Sequence, residues 1–259
     1  MSGTFPDGTF TPQPGPGSPG RMLAAQAGTE MRLALRNGEQ VLLTLLIPAV
    51  LLVGLAVLRV VPLPEPRVAA VAPGILALAV MSTAFTGQAI ALGFDRRYGV
   101  VRRLAATALP RWLLVAGRLV AVLGVVAIQI VVLAAIAFAL GWRPAPAGVG
   151  WAVLLVLLGC AAFGSLGILL GGSLRAEITL AVANLVWFVL LLAGGIVIPL
   201  DQLPGPLAAV AAALPSGALA EGLRAALTTG EPPSVGYVLV LLGWTAAATA
   251  LAVRTVRLR

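Results

Sequence analysis

Residues 113–140 read LLVAGRLVAVLGVVAIQIVVLAAIAFAL, a run in which Arg118 is the only charge and Gln129 the only amide. An α-helix rises about 1.5 Å per residue, so this run is longer than the ~30 Å hydrocarbon core of a bilayer requires. It can tilt, or begin with an extra turn that keeps Arg118 in water. Five more apolar stretches follow the same logic, at 41–59, 71–93, 150–171, 177–198 and 235–253. Pro48 falls inside the first, where a neighbouring helix can satisfy the carbonyl it frees. The whole 259-residue chain is 60% hydrophobic and only 10% charged, with a mean hydropathy of +1.05. A water-soluble domain carries about a quarter charged residues. The excess apolar surface belongs in lipid.

The 17 basic residues are all arginine, against 9 acidic ones, and the chain has no histidine and a single cysteine, Cys160. No His-based triad, His–carboxylate zinc site or Cys-x-x-Cys cluster can be built from this set. A Walker A loop needs a lysine, so ATP chemistry would have to come from another chain. With the amino terminus placed in the cytosol, 13 arginines fall on inside segments and 4 (Arg59, Arg67, Arg143 and Arg224) on outside ones. That asymmetry places both termini inside, and it accounts for the basic excess without nucleic acid.

Residues 1–20 hold five prolines among Gly, Ser and Thr and predict a disordered tail. From Arg21 to about Glu39, Leu23, Ala27, Met31 and Leu35 recur at helical spacing, while Glu30, Arg32 and Arg36 occupy other faces. This predicts an amphipathic helix at the membrane interface; an extension of the first span into the cytosol is the alternative. Between the fifth and sixth spans, Leu203, Leu207, Val210, Ala211 and Leu214, then Leu219, Leu223 and Leu227, keep helical spacing. Pro199, Pro204 and Pro215 punctuate them, which predicts two short helices dipping into the outer leaflet and returning. The expected fold is therefore all-α: an interfacial helix, six spans and an external re-entrant hairpin, with residues 21–259 as one transmembrane domain.

Two segments are more specific. One is Phe94-Asp-Arg-Arg-Tyr-Gly-Val-Val-Arg-Arg-Leu-Ala-Ala-Thr-Ala-Leu-Pro-Arg-Trp, between the second and third spans. The other is Gly194-Gly-Ile-Val-Ile-Pro-Leu-Asp-Gln-Leu-Pro-Gly-Pro-Leu, continuing through Leu214-Pro-Ser to Glu221-Gly-Leu-Arg. Together with Leu35-Arg36-Asn37, these resemble the signatures of the type-2 ABC exporter permeases, especially the small six-helix bacterial subunits of drug-exporter type. The resemblance implies a bacterial inner-membrane protein that pairs with a second permease chain, identical or paralogous. It also implies a separate cassette ATPase that carries ATP and Mg. Asp95, Arg96, Arg97, Gly99, Arg102, Arg103, Pro110 and Arg111 would then form the coupling segment that meets the ATPase. Read from charge alone, the same arginines set topology and bind anionic lipid headgroups.

Within the spans, Gln88, Gln129 and Asn184 are candidate pathway residues, with interhelical hydrogen bonding as the plainer role. Glu177 suits the start of the fifth span, where a helix N-terminus favours a carboxylate. Gly164-Ser165-Leu166-Gly167 resembles a serine nucleophile stretch but has no histidine base, so with Gly159, Gly171 and Gly172 it reads as a helix-packing patch. Trp112, Trp142 and Trp151 fall where interfacial anchors are expected. Only 5% of residues are aromatic, and Leu, Val and Ala dominate the walls. Such a path suits a hydrophobic or amphipathic drug or lipid better than a hydrated glycan. A polysaccharide or glycolipid exporter is the alternative. An intramembrane enzyme lacks its catalytic groups, and a proton-coupled transporter lacks mid-membrane carboxylates.

Overall fold

The computed structural model describes residues 17–58, 63–100, 103 and 110–255, without the side chains of 39–43, 111, 112 and 114. The described residues are helical almost throughout. Helix α1 (Pro19–Arg36) is followed by α2 (Gly38–Val57) and α3 (Arg67–Met81). A π-helical turn, Ser82–Gly87, joins α3 to α4 (Gln88–Arg97). Then come α5 (Arg111–Ala139), α6 (Val149–Ser173) and α7 (Ala176–Ala193). The hairpin is α8 (Gly205–Ala213) and α9 (Pro215–Arg224), the latter extended by a second π-helical turn, Ala225–Thr229. Helix α10 (Val235–Thr255) closes the fold.

Among the described residues, five helical runs are long and apolar enough to cross a membrane: Arg67–Arg97, Val115–Ala139, Pro146–Ser173, Ala176–Ala193 and Val235–Thr255. The first expected span corresponds to α2, whose apolar part Thr44–Val57 is shorter. Consecutive spans alternate in direction, so the molecule has two ends. One carries the α4–α5 connection and most of the arginines; the other carries the hairpin.

The α3–α4 run is the axis of the bundle: 89% of its most apolar window is buried, against 11% for α10. Both faces of a central helix must be apolar, and Val71, Ile75 and Leu78 on one side of α3 and Leu76 and Val80 on the other are all buried. The outer helices instead leave one apolar side uncovered, with Leu185, Phe188 and Leu192 on α7 and Leu239 and Val253 on α10 exposed. That is the pattern expected where lipid replaces water as the solvent.

The small-residue patch on α6 works as a packing surface. A Cβ added at Gly167 would stand 2.8 Å from the Phe85 carbonyl oxygen, and one at Gly171 would meet the carbonyl of Ala89. Glycine is what lets α6 rest directly on the backbone of the π-helical turn and α4. Ser165 donates to the Ala162 carbonyl at 2.9 Å, as a helix-packing serine does. Gly164 differs from its neighbours in the patch, with open space around it.

Several expected boundaries move. Helix α1 starts at Pro19, inside the stretch predicted to be tail, because proline suits the first turn of a helix. The rest of that tail, residues 1–16, lies outside the described residues. A break at Asn37 separates α1 from α2. Helix α1 packs on α5, with Gln26 against Gly117 and the Met31 sulfur against Gly124. Of its predicted apolar stripe Ala27 is buried, Leu23 and Met31 are half-buried and Leu35 is exposed. The fifth span ends at Ala193 instead of 198, where Gly194-Gly195 turns the chain. Trp142 is not an interfacial anchor: it is buried against Phe138 in the hairpin-end core. Trp151 is exposed as expected, and the Trp112 side chain lies outside the described residues.

Candidate functional site

The arginine-rich end is organised by the last turn of α4. Asp95 pairs with Arg118, which α5 holds near its start. Arg96 donates to the carbonyls of Gly171 at 2.9 Å and Leu174 at 3.3 Å. Those are orphan acceptors at the C-terminus of α6, where a cation is also favoured by the helix dipole. Arg97 pairs with Glu177, which sits in the first turn of α7 as expected and gains a charge partner there. Tyr98 ends the helix, stacked on Phe94 with ring centroids 6.1 Å apart. Gly99 then adopts a φ of 70°, a left-handed conformation that turns the chain out of α4.

Thus three of the expected coupling residues are engaged within the chain. Arg103 is exposed, with a 3.5 Å contact to the Tyr98 carbonyl, and Pro110 opens α5. Arg102 and the side chain of Arg111 lie outside the described residues. On α1, Glu30 accepts from Gln26 at 3.1 Å, while Arg32 and Arg36 are exposed. The Arg118–Asp95 pair was not read from sequence. Its signal was a lone arginine inside an apolar run, which needs a counter-charge near the membrane boundary.

A second polar cluster lies deep in the bundle, on the π-helical turn. Thr83 donates to Gln129 Oε1 at 2.7 Å, and Gln129 Nε2 reaches the Thr44 carbonyl at 3.4 Å. Ser82 donates to the Leu78 carbonyl at 2.8 Å and accepts from Trp187 Nε1 at 2.9 Å. A π-helical turn leaves the regular i→i−4 pattern and frequently marks a functional position. Here it aims consecutive hydroxyls at α5 and α7. Gln129 is buried as expected, and its partners Ser82, Thr83 and Trp187 were not read from sequence as a group. Gln88 is half-buried beside Gly167. Asn184 does not face the bundle interior: it lies on the exposed side of α7 beside Leu185. Replacing Thr83 by valine should weaken the fold by about 1 kcal/mol through the orphaned Gln129 amide. In a cycle with Gln129→Leu the coupling energy should be about 0.6–1.7 kcal/mol. Denaturation of the purified protein in detergent measures it, and additive losses would mean the two side chains do not interact.

At the opposite end the hairpin turns back into the protein. Helices α8 and α9 meet at 96°. Pro199 precedes the short turn Leu200–Gln202, Pro204 precedes α8 and Pro215 starts α9. Helix α8 lies outside the bundle, with Leu207 and Val210 exposed, whereas α9 is enclosed by α3, α6 and α10 with Leu219 and Leu223 fully buried. Glu221 on α9 accepts from the Leu200 N–H at 3.0 Å and pairs with Arg224. Arg224 also reaches the carbonyls of Gly195 at 3.3 Å and Ile196 at 3.4 Å. Nearby, Arg67 caps the end of α2 through the Leu55 and Leu58 carbonyls at 2.9 Å and 2.8 Å. The outside arginines placed by charge counting thus include two structural clamps.

These features define a multi-pass helical membrane protein, with a charged connection at one end and a sharply bent pair of short helices at the other. Residues 25–228 match the family model described as ABC-2 type transporter. The match covers 204 of 259 positions (228 − 25 + 1), and the chain belongs to that family. It is an ABC-type permease, a membrane transport subunit of the kind that works with a cassette ATPase. Comparison with curated proteins finds no match.

Proposed function

We propose that the chain is the permease of an exporter moving a hydrophobic or amphipathic compound, a drug or a lipid, outward across a bacterial inner membrane. Both termini face the cytosol, a reading supported by the arginine asymmetry. The single observation that favours a lipophilic cargo is that four polar side chains at the bundle centre are taken up in hydrogen bonds, which leaves the Thr86 hydroxyl on the same turn as the buried one without a partner. Ser82, Thr83, Gln129 and Trp187 are joined in hydrogen bonds. The side chains around them, Leu78, Met81, Phe85 and Val126, are apolar. Such a wall offers dispersion contacts and few free donors to a hydrated sugar.

Two permease chains act together above two ATPase subunits. The uncovered α7 face, with Asn184 set among Leu185, Phe188 and Leu192, supports this pairing, because an amide exposed to lipid is costly unless another chain meets it. Arg103, exposed beyond Gly99, and the start of α5 at Pro110 are the described part of the coupling segment left for the ATPase. ATP and Mg are held by that partner.

The complex reconstituted in vesicles is expected to hydrolyse ATP severalfold faster with some lipophilic drugs or lipids, and not with glycans. Stimulation by a glycan alone would reject this cargo and restore a polysaccharide pathway.

A further inference from the structure

Asp95, Arg96 and Arg97 are consecutive, and each reaches a different helix. Successive residues of an α-helix point about 100° apart, so three neighbours can grip three helices only from a position among them. Asp95 takes α5 through Arg118, Arg96 takes the end of α6 through the Gly171 and Leu174 carbonyls, and Arg97 takes the start of α7 through Glu177. Arg96 and Arg97 hold the short connection between α6 and α7 from both sides. Arg118, in turn, follows Gly117, against which Gln26 of α1 is packed. All these elements meet at one turn of one helix, two residues before the chain leaves α4 at Gly99.

The two ends of the bundle are fastened differently. At the hairpin end, the side chains of Arg224 and Glu221 are 12% and 16% exposed, and backbone groups of Gly195, Ile196 and Leu200 complete the network. At the arginine-rich end, the side chains of Arg97 and Glu177 are 50% and 62% exposed and those of Arg118 and Asp95 21% and 30%, while the Arg96 bonds are part-buried, so Arg97–Glu177 is the most exposed fastening. Exposed pairs exchange readily with water and contribute little net stability, whereas buried networks resist separation. A bundle built this way separates at the end with exposed fastenings and pivots at the other.

We propose that Asp95, Arg96 and Arg97 form a releasable clamp, holding α5, α6 and α7 together at the arginine-rich end and opening once in each transport cycle. The three are positioning residues: they set where the helices stand and touch no cargo. The proposal rests on the permease–ATPase reading above. A pull on the segment beyond Gly99 acts first on this turn, and through it on α5 with α1, α6 and α7.

The test uses the permease purified with its ATPase, carrying Arg97→Cys and Glu177→Cys in a chain whose Cys160 is replaced by alanine. A bifunctional thiol reagent with a reducible spacer joins the two positions. ATP turnover is compared before joining, after joining and after reduction, with ATPase retention followed throughout. Turnover should fall at least tenfold on joining, with the ATPase still bound, and return on reduction. Unchanged turnover in the joined protein would show that the clamp stays closed during the cycle, and would overturn the proposal.

If the double-cysteine protein is inactive before joining, the charge exchange decides. Arg97→Glu alone should change turnover at least threefold, and Arg97→Glu with Glu177→Arg should restore it. An exchange that fails to restore turnover would mean Arg97 serves the ATPase directly, and would overturn the clamp while leaving the coupling reading intact. Failure of any ATPase to accompany the wild-type permease would overturn that reading and the clamp with it.

Discussion

Replacing Arg224 by methionine is expected to cost the protein about 1–3 kcal/mol, below the ~3–5 kcal/mol for breaking a fully buried pair because both side chains keep some contact with solvent. The methionine keeps most of the arginine's apolar stem, so the loss comes from the guanidinium. Without it the Glu221 carboxylate, 16% exposed, keeps only the Leu200 N–H, and the Gly195 and Ile196 carbonyls lose a donor. Changing Glu221 to leucine in the same chain should recover part of the loss, since no charge is then left stranded. The double variant should therefore be more stable than Arg224→Met alone. Unfolding of the purified variants in detergent measures both. Losses that add as if the sites were independent would show that the pair contributes nothing as a pair.

The location of that pair explains the size of the effect. Gly195 and Ile196 belong to the turn that follows α7, Leu200 to the next turn, and Glu221 and Arg224 to α9. The backbone hydrogen bonds of these two side chains thus tie the entry of the hairpin to its buried arm. Helix α9 fills the centre of the hairpin end between α3, α6 and α10, so loosening it unseats the core as well as the surface.

Much of the architecture is legible in the sequence because apolar length is a one-dimensional property. The spans, the hairpin prolines and the amphipathic helix around Ala27 follow from composition and periodicity alone. The misplaced boundaries are positional. Ile196, Val197 and Ile198 are as apolar as a spanning helix, and only the flexibility of Gly194-Gly195 ends α7 early. Trp142 carries an interfacial signature, yet Gly141 turns it inward onto Phe138.

The site was less legible. Counting arginines finds which end is basic, but it treats every arginine alike. The partners of Arg96 are backbone carbonyls, which no side-chain pattern announces. The partner of Arg97 is 80 residues away. Gln129 stood out as an amide in a span, whereas Ser82 and Thr83 are small and common in membrane helices. Their importance comes from the π-helical turn that aims them, and that turn has no clear sequence mark.

Gly171→Leu is expected to be the most damaging single change on α6. Its Cβ would meet the carbonyl of Ala89 on α4, and backbone cannot swing aside as a side chain can. Overpacking of this kind commonly costs 1–3 kcal/mol, and here the effect should lie at or above about 3 kcal/mol because both helices are held at either end. The displaced helix would also carry the Gly171 carbonyl away from Arg96, so turnover should fall further than stability alone explains. Gly164→Ala supplies the comparison. Its Cβ would enter open space, and alanine is the better helix former by about 0.8–1 kcal/mol, so that variant should be as stable as wild type or slightly more so. Thermal unfolding in detergent, monitored by size-exclusion chromatography, distinguishes the two. If both variants unfold together at wild-type temperature, α6 does not rest on the backbone of α4 and the small residues there are not a packing surface.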